Sequence, residues 1–355
     1  MTEGDNAATA GWDAIRAACA RLYPQQEPRH YGSSLPFGFD GNPLDGISAW
    51  KRAEPIPHWH CVGFGLSELY WKESDDEAIS GHGFELTFRL RCDPADENLP
   101  GWAISLMQNL ARYVFTSGNA LRDGEWMDPN GSIALDTDTQ LRGLAFVADP
   151  KLPPIAPPNG SVAFVQIVGL TVDEMEAGKN WQTRGVLAAL LPHLPLWITD
   201  FARASLLDRP DVRDAVETGR DRDGSSMGML FVPTVAYSQQ GDPSAPTTLI
   251  RIGAGQVETL LALLALLALR LPFGRDLLLL DTDDAIRFAA GEASRINAQA
   301  RPPCVTLDRG GLDQSRDTLR PVSGAYRLDA LPGVVWQIER TDIRDASGAV
   351  IRSVG

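Results

Sequence analysis

The sequence runs to 355 residues, of which 44% are hydrophobic and 22% charged, enough apolar material for one large or two moderate cores and too much for a disordered or collagen-like chain. Its 46 acidic against 32 basic residues leave a net charge of -14, which repels a phosphate backbone or an anionic membrane surface and excludes nucleic acid and membrane as first partners. The acidity is local: residues 1–237 hold 32 acids against 19 bases, whereas 247–355 hold 13 of each.

From the N-terminus, Trp12, Ile15, Cys19, Leu22 and Tyr23 recur at spacings of three and four, one apolar helix face that Pro24 ends. Beyond a Pro/Gly-rich stretch to Pro57, Val62, Phe64 and Leu66 alternate. Phe84, Leu86, Phe88, Leu90 and Cys92 then alternate against Glu85, Thr87, Arg89 and Arg91, the pattern of a strand with one face on a core and the other in water. Trp102, Leu106, Leu110, Tyr113 and Val114 predict a helix over 102–115. The run Ser161–Leu170 (SVAFVQIVGL) is apolar on nearly every position, as a central strand covered on both faces would be. Thr171 and Glu174 follow at capping-box spacing, so a helix should leave that strand.

Helices are expected next over 183–191 and 210–217, with a short strand at 197–199 and a longer one over 229–237. The polar, proline-bearing stretch 238–246 has the composition of a linker. Past it come a strand at 248–252, a Gly253-Ala254-Gly255 turn, a helix over 256–269, and strands at 277–280, 286–288, 305–307 and 334–338. The Leu260–Leu269 run (LLALLALLAL) is about half of what a bilayer requires and reads as a core helix. The expected fold is α/β (α+β) in two lobes, each a mixed β-sheet flanked by helices. Residues 1–237 would form the N-terminal domain, 238–246 the linker and 247–355 a smaller C-terminal domain.

Cys19, Cys61, Cys92 and Cys304 are scattered with no CxxC pair, and the opening MTEGDNAATA lacks the regions of a secretory leader. The expectation is free thiols and a cytoplasmic location. Only Lys51, Lys72, Lys151 and Lys179 are lysine, a bias that suggests a GC-rich, bacterial genome.

The sequence has no GxSxG, GxxxxGK[ST], HExxH or EF-hand pattern. Gly253-Ala254-Gly255 lacks the third glycine of a dinucleotide loop, with Glu258 in its place, and reads as a tight turn. His58 and His60 share a strand face, and His82, Cys61 and Cys92 are further donors of zinc-site type. No spacing fixes a third ligand, however, and Trp59, Val62 and Phe64 mark a core, so structural histidines and neither metal nor cofactor are expected. Asp75, Asp76 and Glu77, like Asp136 and Asp138, read as solvated loop acids, and Ser225-Ser226 as a turn. The stretch 113–126 (YVFTSGNALRDGEW) differs, because it joins a helix end to a loop with Asp123, Glu125 and an exposed-looking Trp126. That composition suits capture of a peptide with a basic or polar side chain.

Six ordered blocks, PLDGISAW (43–50), PHWHCVGFGLSELY (57–70), GFELTFRL (83–90), QNLARYVF (108–115), VQIVGLTVDEMEA (165–177) and LWITDFARAS (196–205), make the chain resemble the Suppressor of fused family over Trp12–Tyr237. The resemblance implies a non-enzymatic binding protein of two α/β lobes that holds a peptide segment of its partner between them, partly by strand addition. Animal members sequester a zinc-finger transcription factor, and for a bacterial member the resemblance implies an immunity protein that neutralises a polymorphic toxin. It further implies that Tyr113 and Glu125 stand at family contact positions, glutamate replacing the aspartate of animal members, and that Ala148 replaces another family acid beside Asp149. The expected partner-binding set is Tyr113, Asp123, Glu125, Trp126 and Asp149, facing a basic protein partner such as a nuclease toxin. The competing reading is a metal-dependent hydrolase using His58, His60 and the loop acids.

Overall fold

The computed structural model describes residues 9–32, 43–134, 137–232, 234–242, 246–253, 257–344 and 350–355. Asp136 and the Ala254-Gly255 part of the glycine turn lie outside them. Contacts divide the chain into two units, Met1–Gly178 with Thr183–Val216, and Lys179–Gln182 with Glu217–Gly355.

The first unit is built on one seven-stranded sheet with a helix on each face. Helix α1 (Ala10–Leu22) precedes β1 (Arg29–Gly32), β2 (Gly46–Arg52), β3 (His58–Phe64) and β4 (Ile79–Arg91), and α2 (Gly101–Ser117) precedes β5 (Trp126–Met127), β6 (Leu141–Ala148) and β7 (Ser161–Thr171). The strand order is β1-β2-β3-β4-β7-β6-β5, antiparallel throughout except for β4 beside β7. On one face Ile15, Ala18 and Cys19 of α1, with Tyr23 just after it, pack on Trp50, Val62, Phe64 and Phe164. On the other, Ala103, Leu106, Met107, Leu110 and Val114 of α2 pack on Trp59, Cys61, Phe84, Leu86, Phe88, Leu90, Val165 and Ile167. The period-2 pleat makes this division, sending successive side chains of each strand to opposite layers. Gly118, at φ 72, closes α2 in the left-handed conformation, its N–H bonding Val114 O at 2.9 Å.

The helices fall where spacing predicts them, and β7 is covered on both faces as expected. The polar side of β4 departs from expectation. Glu85 and Thr87 are 0% exposed and Arg89 1%, so the face read as wet is covered except at Arg91, whose side chain is 57% exposed as expected. Alternation records side-chain polarity, and polarity alone cannot tell water from a buried hydrogen-bonding partner.

Helix α3 (Val172–Asn180) leaves β7 with its capping box half closed: Glu174 takes the Thr171 N–H at 3.0 Å, while the Thr171 hydroxyl turns to Asp173 at 2.5 Å. The buried Glu174 also receives both Arg203 terminal nitrogens, at 2.6 and 2.5 Å, a fork-to-carboxylate pair tying α3 to the chain 29 residues on. After α4 (Thr183–Leu190) the expected strand at 197–199 is replaced by a 3₁₀ turn over Pro195–Trp197, with Leu196 and Trp197 at φ 55 and 49. Only Thr199 keeps a strand-like contact, a single bridge to Leu90. Left-handed backbone at two bulky residues has no sequence signature. Helix α5 (Pro210–Asp223) follows, and the contact division falls inside it.

The second unit holds β8 (Met229–Phe231), β9 (Val235–Gln240), β10 (Thr247–Gly253), α6 (Val257–Arg270), β11 (Leu277–Leu280), β12 (Ala285–Ala290), β13 (Arg295–Asn297), β14 (Cys304–Leu307), α7 (Arg309–Thr318), β15 (Gly324–Arg327), β16 (Val334–Glu339), β17 (Thr341–Arg344) and β18 (Val350–Val354). One sheet has the order β15-β16-β10-β9 and another β13-β14-β12-β11-β8, with β17 and β18 as a separate pair. Leu263, Leu264, Leu266 and Leu267 of α6 join Ile250, Leu279, Phe288 and Trp336 in one core, where the last two rings stack at 6.0 Å. The leucine-rich run is thus a core helix, and no helix among the described residues is long and apolar enough to cross a membrane. The strand expected over 229–237 is two strands that join different sheets. Gln240 of β9 stands opposite Thr247 of β10, so the described ends of the linker-like stretch belong to neighbouring antiparallel strands.

Gly219 in α5 offers a test of packing in this unit. A Cβ there would lie 2.2 Å from Trp181 Cζ2, and the Trp181 ring is 7% exposed and pinned by its Nε1–H bond to Asp223 at 3.0 Å. Alanine normally stabilises a helix interior by about 1 kcal/mol over glycine. Here the clash reverses the sign: Gly219→Ala is expected to destabilise by about 1–3 kcal/mol in urea unfolding, and a stabilised variant would show that the ring yields.

Candidate partner-binding site

The loop after α2 is an ordered structure. Gly124, at φ 88, donates its N–H to Phe146 O at 2.9 Å, and Phe146 N–H returns to Glu125 O at 3.0 Å, so the loop is stitched to β6 before β5 begins. The Glu125 carboxylate accepts Arg122 N–H at 2.9 Å with the Arg122 guanidinium 3.8 Å away, and Asp123 pairs with Arg184 at 2.7 Å. Their side chains remain 43% and 34% exposed. Tyr113 is 39% exposed and accepts an Asn119 amide bond at its hydroxyl, 3.1 Å. The sequence therefore places Tyr113, Asp123 and Glu125 at the surface as expected. Trp126 is half-buried, where an exposed ring was expected, because its backbone belongs to the edge strand β5, opposite Ala145.

Asp149 goes elsewhere. Its carboxylate, with no exposed side-chain surface, takes both terminal nitrogens of Arg89 at 2.6 and 3.0 Å, the Thr87 hydroxyl at 2.7 Å, and the N–H groups of Lys151 and Leu152 at 2.8 and 2.9 Å. His60 completes the network, with Nε2 3.2 Å from Asp149 and Nδ1 2.6 Å from the Tyr23 hydroxyl of α1. Arg89 also reaches Gln166, whose amide donates to the carbonyls of Leu196 and Trp197 at 2.8 and 3.1 Å. Burial alone would raise the Asp149 pKa; the His60 hydrogen bond and the Arg89 charge outweigh it and hold the carboxyl well below its usual range. Burial, then the Arg89 charge, pushes His60 down to about 4, so the ring is neutral.

His58 and His60 thus serve the fold: His58 bonds Ile56 O through Nδ1 at 2.7 Å, and both ring nitrogens of His60 are engaged. Among the described residues no group of three or more His, Cys, Asp or Glu is placed to hold a cation. Ser225 forms the expected turn, its hydroxyl donating to Lys179 O at 2.7 Å and accepting Met227 N–H at 3.0 Å.

A cleft of about 560 Å³ has no counterpart in the sequence reading. Leu66, Tyr70, Trp71, His82 and Phe115 line it with Glu68 and Glu73. Trp71 is 62% exposed and Phe115 42%, unusual for large aromatics on a chain with no partner to cover them. Its floor is fixed by the fully buried Glu85, which accepts the N–H groups of Gly65, Leu66 and Ser67 at 3.0, 3.3 and 2.9 Å and the Ser67 hydroxyl at 2.6 Å. Burial pushes the Glu85 pKa up to about 7 against those donors. No periodicity announces the cleft; its one visible sign is the adjacent Tyr70-Trp71 pair set before the acids at 73–77.

Comparison with known proteins follows the same residues. The profile of the Suppressor of fused protein family (SUFU) matches residues 40–204. The human and mouse Suppressor of fused homologs are each 34% identical over 239 residues, covering 61% of this chain and 48% of theirs, so the chain spans about half the length of these relatives. The crystal structure of Drosophila Suppressor of Fused matches with a TM-score of 0.76 at 20% identity, over 94% of this chain and 97% of that one, a likeness of fold. A chain of the Sufu-Fu complex crystal structure matches at 30% identity with a TM-score of 0.55, over 59% of this chain and 98% of its own.

The buried charges make two predictions. Asp149→Asn leaves Arg89 buried without its counter-charge and is expected to cost about 3–5 kcal/mol in urea unfolding near neutral pH; a loss under about 1 kcal/mol would show that Arg89 finds another partner. The second concerns pH. The folded pKa of His60, about 4, lies below its ordinary 6.5, so its contribution is present above pH 6.5 and lost as pH falls toward 4. Glu85, raised from 4.5 to about 7, has the opposite sign: its contribution is full below pH 4.5 and lost as pH rises through 7. As pH falls across this window, the stability difference between wild type and His60→Gln should narrow, while that between wild type and Glu85→Gln should widen.

Proposed function

Through residues 40–204 the chain belongs to the Suppressor of fused family, and on that footing we propose that it is a non-enzymatic, cytoplasmic protein-binding module, most concretely a bacterial immunity protein that neutralises a polymorphic toxin. One relative was solved as the Sufu-Fu complex, a binding role that supports the reading. The observation that carries it is the pre-organised acidic surface of the loop after α2. Asp123 and Glu125 are partly exposed carboxylates already oriented by Arg184 and Arg122 and by the backbone ladder to β6. Groups fixed before encounter lose little entropy on binding, which is how a surface of ordinary size gains affinity.

The partner's chemistry follows from charge. With 32 acids against 19 bases in residues 1–237, this part of the chain attracts a basic surface over a distance of about a Debye length and speeds its capture. A basic partner segment would pair with Glu125 and Asp123 and pack on Tyr113, with Trp126 supporting the loop from β5. Asp149 acts from inside, through the fold. The hydrolase reading requires His58 and His60 to be available to a metal, whereas both ring nitrogens of His60 and Nδ1 of His58 are engaged as described.

Glu125→Lys is expected to weaken binding to the toxin that the chain neutralises by about 2 kcal/mol if the pair is desolvated. Thermal unfolding should shift by the equivalent of about 1 kcal/mol or less, since only the local Arg122 contacts are lost. Calorimetric titration of both proteins decides it: equal affinities move the interface away from this loop, and an equally large loss of stability assigns Glu125 to the fold.

A further inference from the structure

The second unit contains a cavity of about 490 Å³, lined by Trp181, Gln182, Asp223, Ser226, Arg270 and Arg275 among others. Arg270, the last residue of α6, is 7% exposed. Its Nε donates to Asp276 O and one terminal nitrogen to Ser225 O, both at 2.8 Å. Arg275 donates to the same Ser225 oxygen at 3.1 Å. Two guanidinium groups therefore converge on one carbonyl, and burial followed by the Arg275 charge lowers the Arg270 pKa from the usual arginine range.

The acids nearby offset this pair only in part: Asp276 acts on Arg270 and Asp223 on Arg275, but each acid is also held by another arginine. Asp223 is taken by Arg222 at 2.6 Å and by the Trp181 indole, and Asp276 by Arg287 at 3.3 Å. Among the described residues neither Arg270 nor Arg275 forms an ion pair. The C-terminal dipole of α6 favours one cation at its end, which accounts for Arg270, and the exposed Arg275 adds a second positive charge at the rim of the cavity. The remaining terminal nitrogen of Arg270 stands over Gly228, where even a Cβ would lie 3.5 Å away.

A lone water or a chloride would satisfy only part of this donor set. A tetrahedral dianion offers acceptor oxygens to the remaining donors of both guanidinium groups at once and carries charge of the opposite sign. We propose that this cavity binds a phosphate group, either as the free ion or as a small phosphomonoester.

The test is calorimetric titration of the full chain, in low-salt buffer free of phosphate, with inorganic phosphate, glycerol 3-phosphate and acetate. Phosphate should bind saturably at one site. Arg275→Gln, a change at an exposed side chain, should weaken it about tenfold or more, and Arg275→Lys, which keeps the charge but loses the fork, by less. Arg295→Gln, on β13, should leave it unchanged. Binding of inorganic phosphate alone identifies the free ion as ligand, and equal or tighter binding of glycerol 3-phosphate identifies the ester. The proposal fails if wild type shows no saturable phosphate binding, if Arg275→Gln binds as tightly as wild type, or if acetate binds as well as phosphate.

Discussion

The pairing of Arg89 with Asp149 on the covered face of the first unit's sheet is the constraint on which the rest of that unit rests. Each charge would be costly to bury alone, and a bidentate pair meets that cost only when the remaining lone pairs and protons are also satisfied. Here they are. Thr87, His60, Gln166 and two backbone N–H groups complete the shell. Through those partners one carboxylate fixes the Tyr23 end of α1, the middle of β3 and β4, the chain after β6, and, through Gln166, the left-handed turn at Leu196 and Trp197. Apolar packing alone would hold these elements together but would leave their register less well specified.

Rigidity built this way matters at the surface. The loop carrying Asp123 and Glu125 bonds to β6, and Asp149 follows the end of that same strand. The aromatic cleft is held likewise, by Glu85 of β4 gripping the backbone at 65–67. In both cases a surface feature is tied to a strand that carries, or ends beside, a buried carboxylate with several hydrogen-bond partners. That is the arrangement a stoichiometric binder needs, because its affinity depends on surfaces that are already shaped before the partner arrives.

Much of this fold is legible in the sequence wherever burial selects residue type. The helical spacing of Ile15 and Cys19 and of Leu106 and Leu110 marks helices that do pack on a core, and the unbroken apolar run at 161–170 marks a strand that is covered on both faces. The polar side of β4 is misread for the opposite reason. Arg89 looks solvated because its partner Asp149 is 60 residues away, and nothing local connects them. The turn at 195–197 depends on Gln166 from a distant strand, and the short β5, β13 and β15 are too brief for periodicity to register. The surface acids at 123 and 125 were recoverable from composition and family resemblance together. The cleft around Trp71 was not, since exposure is a property of what fails to cover a residue.

The long reach of the Arg89 pair also bears on how the protein is made. Arg89 emerges from the ribosome about 60 residues ahead of its counter-charge, several seconds at ordinary rates of synthesis. Gln166 then waits for carbonyls 30 residues further on, and Glu174 for Arg203. A nascent chain stopped before residue 149 therefore holds a strand whose inner face carries an unmatched cation, which disfavours closing α1 over the sheet. The first unit's β4–β7 pairing has to wait for the same stretch of chain. Commitment to the native state is thereby deferred until nearly all of that unit has been translated. A chain stopped short of that point leaves one face of its sheet unsealed.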